Sequence, residues 1–214
     1  MLLSGAFRQQ FHSRGGTALN NPRDMQLGGP DESEEEGPGP YESETHIRVL
    51  DLQDRRPMGH EINGLTEPSM HLVRARVNES VEMSKGSRMV ADSESIGPFS
   101  EIRHRDLTPA AIGELTEAVL ATISENSEKH LGFYNSAGPM SLKYHAFQLL
   151  PGIGNSKALQ MVQLRGISGW SDFAAVDEAW GIDSARLLAE RYVMEMEDDA
   201  QTPRLLDILV RSEM

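Results

Sequence analysis

One short segment constrains this chain more than any other: Leu149-Leu150-Pro151-Gly152-Ile153-Gly154, followed by Asn155-Ser156-Lys157-Ala158. Apolar residues at helical spacing flank it, with Tyr144, Phe147 and Leu150 before and Leu159, Val162 and Leu164 after. Gly-apolar-Gly between two helical patterns has a physical logic. The first glycine permits a tight turn, Ile153 plugs the gap between helices, and Gly154 lets another backbone approach closely. The helix beyond then starts with free N–H groups and the positive end of its dipole. Those amides can hold one phosphate, with Lys157 adding charge from the first turn.

This is the helix-hairpin-helix pattern, similar to the sequence-independent nucleic-acid grips of repair and recombination proteins. A second copy follows. Trp170, Phe173, Val176 and Trp180 lead to Gly181-Ile182-Asp183, and Leu187, Leu188 and Tyr192 continue the spacing. Ser171 is expected to cap the first helix of that pair and Asp183 the second. A carboxylate at Asp183 occupies the helix start and repels phosphate, so the second hairpin reads as structural.

Charge supports a local binding face on an acidic protein. The 214 residues carry a formal charge of −13, yet no Asp or Glu falls between Glu128 and Asp172 while Lys129, Lys143, Lys157 and Arg165 do. A buried stretch excludes both signs of charge, so four cations there point to an anion-facing surface. Apolar residues at 38% allow a modest core. The absence of cysteine excludes disulfides, thiolate metal sites and cysteine nucleophiles. No apolar run approaches a membrane span, and Met1-Leu2-Leu3 is too short for a signal core. A cytoplasmic protein is expected.

Three segments follow from pattern. Residues 1–44 are rich in Gly and Pro and carry the run Asp31-Glu32-Ser33-Glu34-Glu35-Glu36, the composition of a disordered acidic tail. From residue 45 to 106 the period becomes that of strands. Ile47, Val49 and Leu52 mark one; Met70 to Val77 mark another, with Val73, Ala75 and Val77 alternating against Arg74 and Arg76. Val81 and Met83 read as a hairpin with Met89 and Val90 through Lys85-Gly86, and Ile102 to Arg105 as a further strand. Short, closely spaced strands suggest a small antiparallel barrel, with Arg74 and Arg76 sharing one face as a second nucleic-acid surface. Residues 107–214 are helical. Thr108-Pro109 starts a helix through Ile112, Leu115, Val119 and Ile123; Ser141 caps another over residues 142–149, and Leu205 to Val210 returns as a strand or docks on the barrel.

Residues 135–154 (NSAGPMSLKYHAFQLLPGIG) resemble the archaeal DUF family 655, associated with RNA or nucleotide binding. Asp106-Leu107-Thr108 and Lys85-Gly86-Ser87-Arg88-Met89-Val90 fit it too, and the likeness spans about residues 45–211. The resemblance implies an α+β protein: a small five-stranded antiparallel barrel of oligonucleotide-binding type, then a helical domain with two helix-hairpin-helix motifs. Members usually carry lysines directly after the second glycine, where this chain has Asn155-Ser156. In related hairpins the turn carbonyls hold a monovalent cation, which by resemblance alone nominates Gln148, Leu150 and Ile153; no other cofactor is expected.

Enzymatic readings fare worse. A DNA repair glycosylase shares the Leu-Pro-Gly-apolar-Gly hairpin, but Ser156 stands at its lysine position and Asp177 lies too far along for its catalytic aspartate. The helices that build a base-flipping pocket are also missing. His104-Arg105-Asp106-Leu107 mimics a kinase loop, yet Ala111 replaces the required asparagine and no glycine-rich loop precedes it. The 7 histidines lack metal-ligand spacing. The expectation is a non-enzyme with no small-molecule substrate, binding nucleic acid, RNA before DNA. Its interface is Gly152, Ile153, Gly154, Asn155, Ser156, Lys157, Lys143 and Arg165, with Arg74 and Arg76 on the barrel. The alternative is a protein–protein adaptor near the ribosome or transcription machinery.

Overall fold

Ile47 and Val49 stand two apart and fill one face of the first strand, β1 (His46–Asp54), while Arg48 and Leu50 fill the other. Both faces are buried because the strand lies inside a sheet that is covered on two sides. The computed structural model describes residues 41–55, 59–92 and 94–212. Its sheet contains β2 (His60–Glu67), β3 (Leu72–Val77), β4 (Arg88–Val90) and β5 (Ser100–Glu101), in the order β4-β1-β2-β3-β5 with every neighbour antiparallel. Five strands are present, but the sheet is open. Among the described residues no ladder joins its edges β4 and β5, so the expected closed barrel is not formed.

A bulge in β1 sets which side chains face which layer. Val49 pairs with Gly64 and Asp51 with Asn63, leaving Leu50 without a direct partner. The extra residue resets the alternation. Leu52 therefore packs with the Ile47–Val49 face, and Asp51 turns to the opposite side, where it accepts the Thr108 hydroxyl at 2.6 Å. β2 packs so closely on β1 here that a Cβ at Gly64 would lie 2.5 Å from Ile47 Cδ1. Any side chain there would have to displace buried Ile47.

The stretch read as a hairpin contributes one short strand. Residues 88–90 pair with β1, whereas Val81 and Met83 lie outside any strand and pack on the face of Ile47, Val49, Ile62, Val73, Ala75 and Val77. Gly86 makes the turn at φ +83°. Ile102 to Arg105 is not a strand either: β5 ends at Glu101, and His104–Asp106 form a 3-10 turn. The tail boundary also differs. Tyr41 packs edge-on against His71 and Phe99, and buried Glu44 accepts the Ser69 N–H at 3.3 Å. Residues 1–40 of the expected tail lie outside the described residues.

The other face of the sheet receives α1 (Pro109–Glu125), begun as expected by the Thr108 hydroxyl accepting Ala111 N–H, with Pro109 in its first turn. α2 (Ser127–Ser136), a two-stranded ribbon of β6 (Pro139–Ser141) and β7 (Tyr144–His145), α3 (Asn155–Arg165), α4 (Phe173–Trp180) and α5 (Ser184–Glu197) follow. Leu50, Leu65, Met70 and Leu72 of the sheet region lie in the same buried cluster as the helical residues. The boundary drawn at 106/107 therefore does not separate two cores. The final apolar run is no strand. Leu206–Val210 form a π-helical turn that buries Leu205, Leu206 and Val210, while Arg211 donates to the carbonyls of Ser69 and Met70 at 3.1 Å each. No described helix is long and apolar enough to cross a membrane.

Within the helical layer the buried His130 shares a 3.1 Å hydrogen bond with the Tyr192 hydroxyl. Burial, aided by the charge of Lys129, pulls its pKa down from 6.5 to about 4. The unfolded chain then binds a proton that the folded one does not. His130 costs nothing above about pH 6.5 and destabilises progressively as pH falls towards 4, by about 3 kcal/mol in full. Urea unfolding of the parent should weaken across that window, and His130→Gln should remove most of this slope. An unchanged slope in the variant would assign the acid sensitivity elsewhere.

Candidate nucleic-acid interface

The glycine turn before α3 is present, but the helix expected ahead of it is not. Residues 139–145 form the β6–β7 ribbon, and only Ala146–Leu149 coil, as a single 3-10 turn. His145 explains the change. Its Nδ1 accepts the Phe147 N–H at 3.1 Å, and Gln148 Oε1 accepts the His145 N–H at 2.8 Å. This reciprocal cap starts the coil at Ala146, leaving four residues before the Leu150–Pro151 turn. Burial, and then the nearby Arg165, hold the His145 pKa below its usual value, which keeps Nδ1 an acceptor.

The turn itself follows the sequence logic. Gly152 has φ +72°, a conformation that favours glycine. Ile153 is buried and donates its N–H to the Leu150 carbonyl at 3.2 Å. Gly154 is the residue before α3, with ordinary extended φ and nothing within 4 Å of where a Cβ would stand. Its value is openness, since the backbone would accept other residues. Buried Ala158 and Met161 seat α3 on the core, in the same buried cluster as Ile153 and Phe147. Phe147 also stacks near Tyr134 and meets Trp180 edge-on.

The start of α3 differs from every other described α-helix. Thr108, Asp172 and Asp183 cap α1, α4 and α5 through side chains, and α2 carries Glu128 in its first turn. α3 has no capping side chain and no acidic residue there. Gly152, Gly154, Asn155 and Ser156 are exposed, and Lys157 is half-buried in the first turn. Lys143 is exposed at the ribbon's turn.

Other expected site residues are engaged differently. Arg165 donates to the carbonyls of Tyr134 at 3.1 Å and Ala137 at 2.7 Å, and its guanidinium lies 5.6 Å from the Phe147 ring centre. It closes the C-terminus of α2, so its charge is committed to the fold. Arg74 on β3 lies 3.8 Å from Glu61 and donates to the Asp106 carbonyl; Arg76 is exposed on the same strand face. Of the carbonyls nominated for a cation, that of Gln148 accepts the Tyr144 hydroxyl and that of Leu150 the Ile153 N–H. Among the described residues, no group of three or more His, Asp or Glu is arranged to hold a metal ion.

The second copy is a turn between α4 and α5. Gly181 adopts the left-handed conformation and Asp183 accepts the Arg186 N–H at 3.0 Å. The cap of α4 is Asp172, which accepts Ala175 N–H at 2.7 Å; Ser171 instead donates to Asp172. Asp177 accepts both the N–H and the hydroxyl of Ser184, so its carboxylate is tied into the start of α5. Asn135 opens the run that carries the family resemblance, but nothing in the sequence points to its structural role. Its side chain donates to the Trp170 carbonyl and accepts the Trp170 N–H at 2.7 Å, fastening the segment after α3 to α2. A Cβ at Gly169 would lie 2.8 Å from Asn135 Oδ1, so that glycine serves the clasp.

Comparison with known proteins agrees with this architecture. The chain is 23% identical over 168 residues to the uncharacterized protein MJ0038 of Methanocaldococcus jannaschii, covering 75% of this chain and 77% of that one. The crystal structure of Af1531 from Archaeoglobus fulgidus, itself assigned to the family DUF655, has the same fold, with a TM-score of 0.69 at 20% identity over 76% of this chain and 99% of that one. The family described as protein of unknown function, DUF655, matches residues 51–205, and this chain belongs to it.

Proposed function

We propose that this protein is a non-catalytic, cytoplasmic nucleic-acid-binding protein that grips one phosphate at residues 149–157, with RNA preferred over DNA. The carrying observation is the start of α3, where exposed residues meet no capping side chain and the first turn holds no acidic residue. A phosphate there gains the helix-end amides and dipole, with Lys157 in the first turn and Lys143 on the ribbon. The 3-10 turn, the Gly152–Gly154 turn and α3 together act as a helix-hairpin-helix whose first helix is shortened. Such contacts hold the backbone without reading sequence.

Fluorescence anisotropy with labelled RNA, single-stranded DNA and duplex DNA tests this. Affinity should fall log-linearly with salt. Lys157→Glu should leave the thermal midpoint nearly unchanged, because the dipole tolerates an acid in the first turn. Binding should weaken by about tenfold or more, since the carboxylate competes for the amides and repels phosphate. A Lys157→Glu protein that binds all three as the parent does removes the hairpin as the grip.

One observation favours the adaptor reading instead: Leu159, Leu164 and Ile167, on and just after α3, are exposed aliphatics. A partner from the ribosome or transcription machinery docking there would bind with little salt dependence.

A further inference from the structure

Leu142 occupies the two-residue turn between β6 and β7 with its side chain fully exposed. Folding gives no reason for it. Turns of this length favour Asn, Asp and Gly, which adopt positive φ readily. Leu142 is not at positive φ and buries nothing. Lys143 follows it, exposed, and Met140 and Tyr144 flank the turn at 44% and 40% exposure.

The ribbon that carries this tip is anchored to the hairpin. Pro139 pairs with His145 and Ser141 with Tyr144; the Ala146 N–H donates to the Gly138 carbonyl at 3.0 Å. The Tyr144 hydroxyl donates to the Gln148 carbonyl at 3.1 Å, inside the 3-10 turn that leads to the grip. β7 and that turn both pack on α3. An apolar tip, a cation beside it and an open helix end therefore belong to one fixed piece of structure.

We infer that the β6–β7 ribbon is a wedge: Leu142 enters between stacked bases while Lys143 takes the adjoining phosphate. The inference rests on the phosphate-grip reading and extends it to a substrate class, nucleic acid containing an unpaired or easily unstacked step. An aliphatic side chain cannot read base edges, but it can replace stacking on one side of an opened step. Opening costs least where a base is already bulged or unpaired. The tip lies in the stretch free of Asp and Glu, so a phosphate-lined occupant meets no carboxylate from residues 129–171.

The test uses the full chain and three RNAs of equal length: an uninterrupted duplex, a duplex with a one-base bulge, and a single strand. Each carries 2-aminopurine, whose fluorescence rises on unstacking; in the bulged RNA it adjoins the bulge. The parent should bind the bulged duplex about tenfold more tightly than the uninterrupted one and raise the fluorescence. Leu142→Ala, at an exposed position, should keep the parent's thermal midpoint and its affinity for the uninterrupted duplex. It should lose both the preference and the fluorescence rise, while Leu142→Phe should retain them. If Leu142→Ala keeps both while Lys157→Glu abolishes binding, the wedge is wrong and the grip stands. If Lys157→Glu also binds as the parent does, the grip fails and the wedge with it. Unchanged nucleic-acid binding by Leu142→Ala overturns the inference whatever Lys157→Glu does.

Discussion

Glu67→Ala should destabilise the protein by about 3–5 kcal/mol, the usual cost of removing one partner from a buried ion cluster. The Glu67 side chain is 4% exposed and receives four contacts. Arg48 approaches Oε1 through Nε at 3.1 Å and Nη2 at 2.9 Å, the Thr122 hydroxyl donates to Oε1 at 3.0 Å, and Arg88 Nε donates to Oε2 at 2.7 Å. Arg48 and Arg88 come from β1 and β4, Thr122 from α1, so the carboxylate ties the sheet to the helix above it. Burial pushes the Glu67 pKa up, but the Arg88 hydrogen bond, the Arg48 charge and the Thr122 hydroxyl together hold it below 4.5. A carboxyl depressed on folding stabilises fully above its unfolded pKa and loses that contribution as pH falls through the folded value. Urea unfolding at neutral pH should rank Glu67→Ala as most damaging, then Glu67→Gln, then Arg88→Gln, whose native side chain is 35% exposed and partly screened. A loss below about 1 kcal/mol for Glu67→Ala would show that the cluster does not hold sheet and helix together.

Glu195→Ala should cost a similar amount, about 3–5 kcal/mol, and its damage should be local first. Fully buried Glu195 accepts Arg191 Nε at 2.7 Å and the N–H groups of Leu205 and Leu206 at 2.9 Å each. Arg191 in turn donates to the Pro203 carbonyl at 2.9 Å. One carboxylate thus replaces the missing partners at the start of the π-helical turn and fastens the chain end to α5. Hydrogen exchange should show the amides of residues 205–211 losing protection before those of α1 and β1. Equal protection of that segment in parent and variant would refute the link.

Elements with strong local signals were legible in the sequence. Thr108-Pro109 announces α1, and the alternation of Val73, Ala75 and Val77 announces β3. β2 was missed entirely. It offers only Ile62 and Leu65 as large apolar residues, around Asn63 and Gly64, a composition that argues against a strand when read alone. Its strand character comes from lying between β1 and β3, with Gly64 small enough to admit Ile47. The helix read over residues 142–149 failed for the opposite reason. Its apolar spacing was adequate, but the mutual cap of His145 and Gln148 began the coil late, and side-chain capping outweighs periodicity over so short a run.

The candidate site divides along the same line. Gly152, Ile153 and the open start of α3 could be named from sequence, because turn geometry and helix-end polarity depend on neighbours along the chain. Arg165 could not be assigned that way. In the sequence it is one more cation in an acid-free stretch; in the fold the carbonyls of Tyr134 and Ala137 claim it.

By itself, then, the sequence determined the starts of α1, α3 and α5, the glycine turn and the strand periodicity of β1 and β3, all set by interactions within a few residues. Tertiary structure alone decided that the sheet stays open, that β2 is a strand, and which charges are committed to the fold. It also placed Leu142 in solvent on a ribbon anchored beside the hairpin. Those outcomes depend on packing and on hydrogen bonds between residues far apart in the chain, where local propensity carries no information.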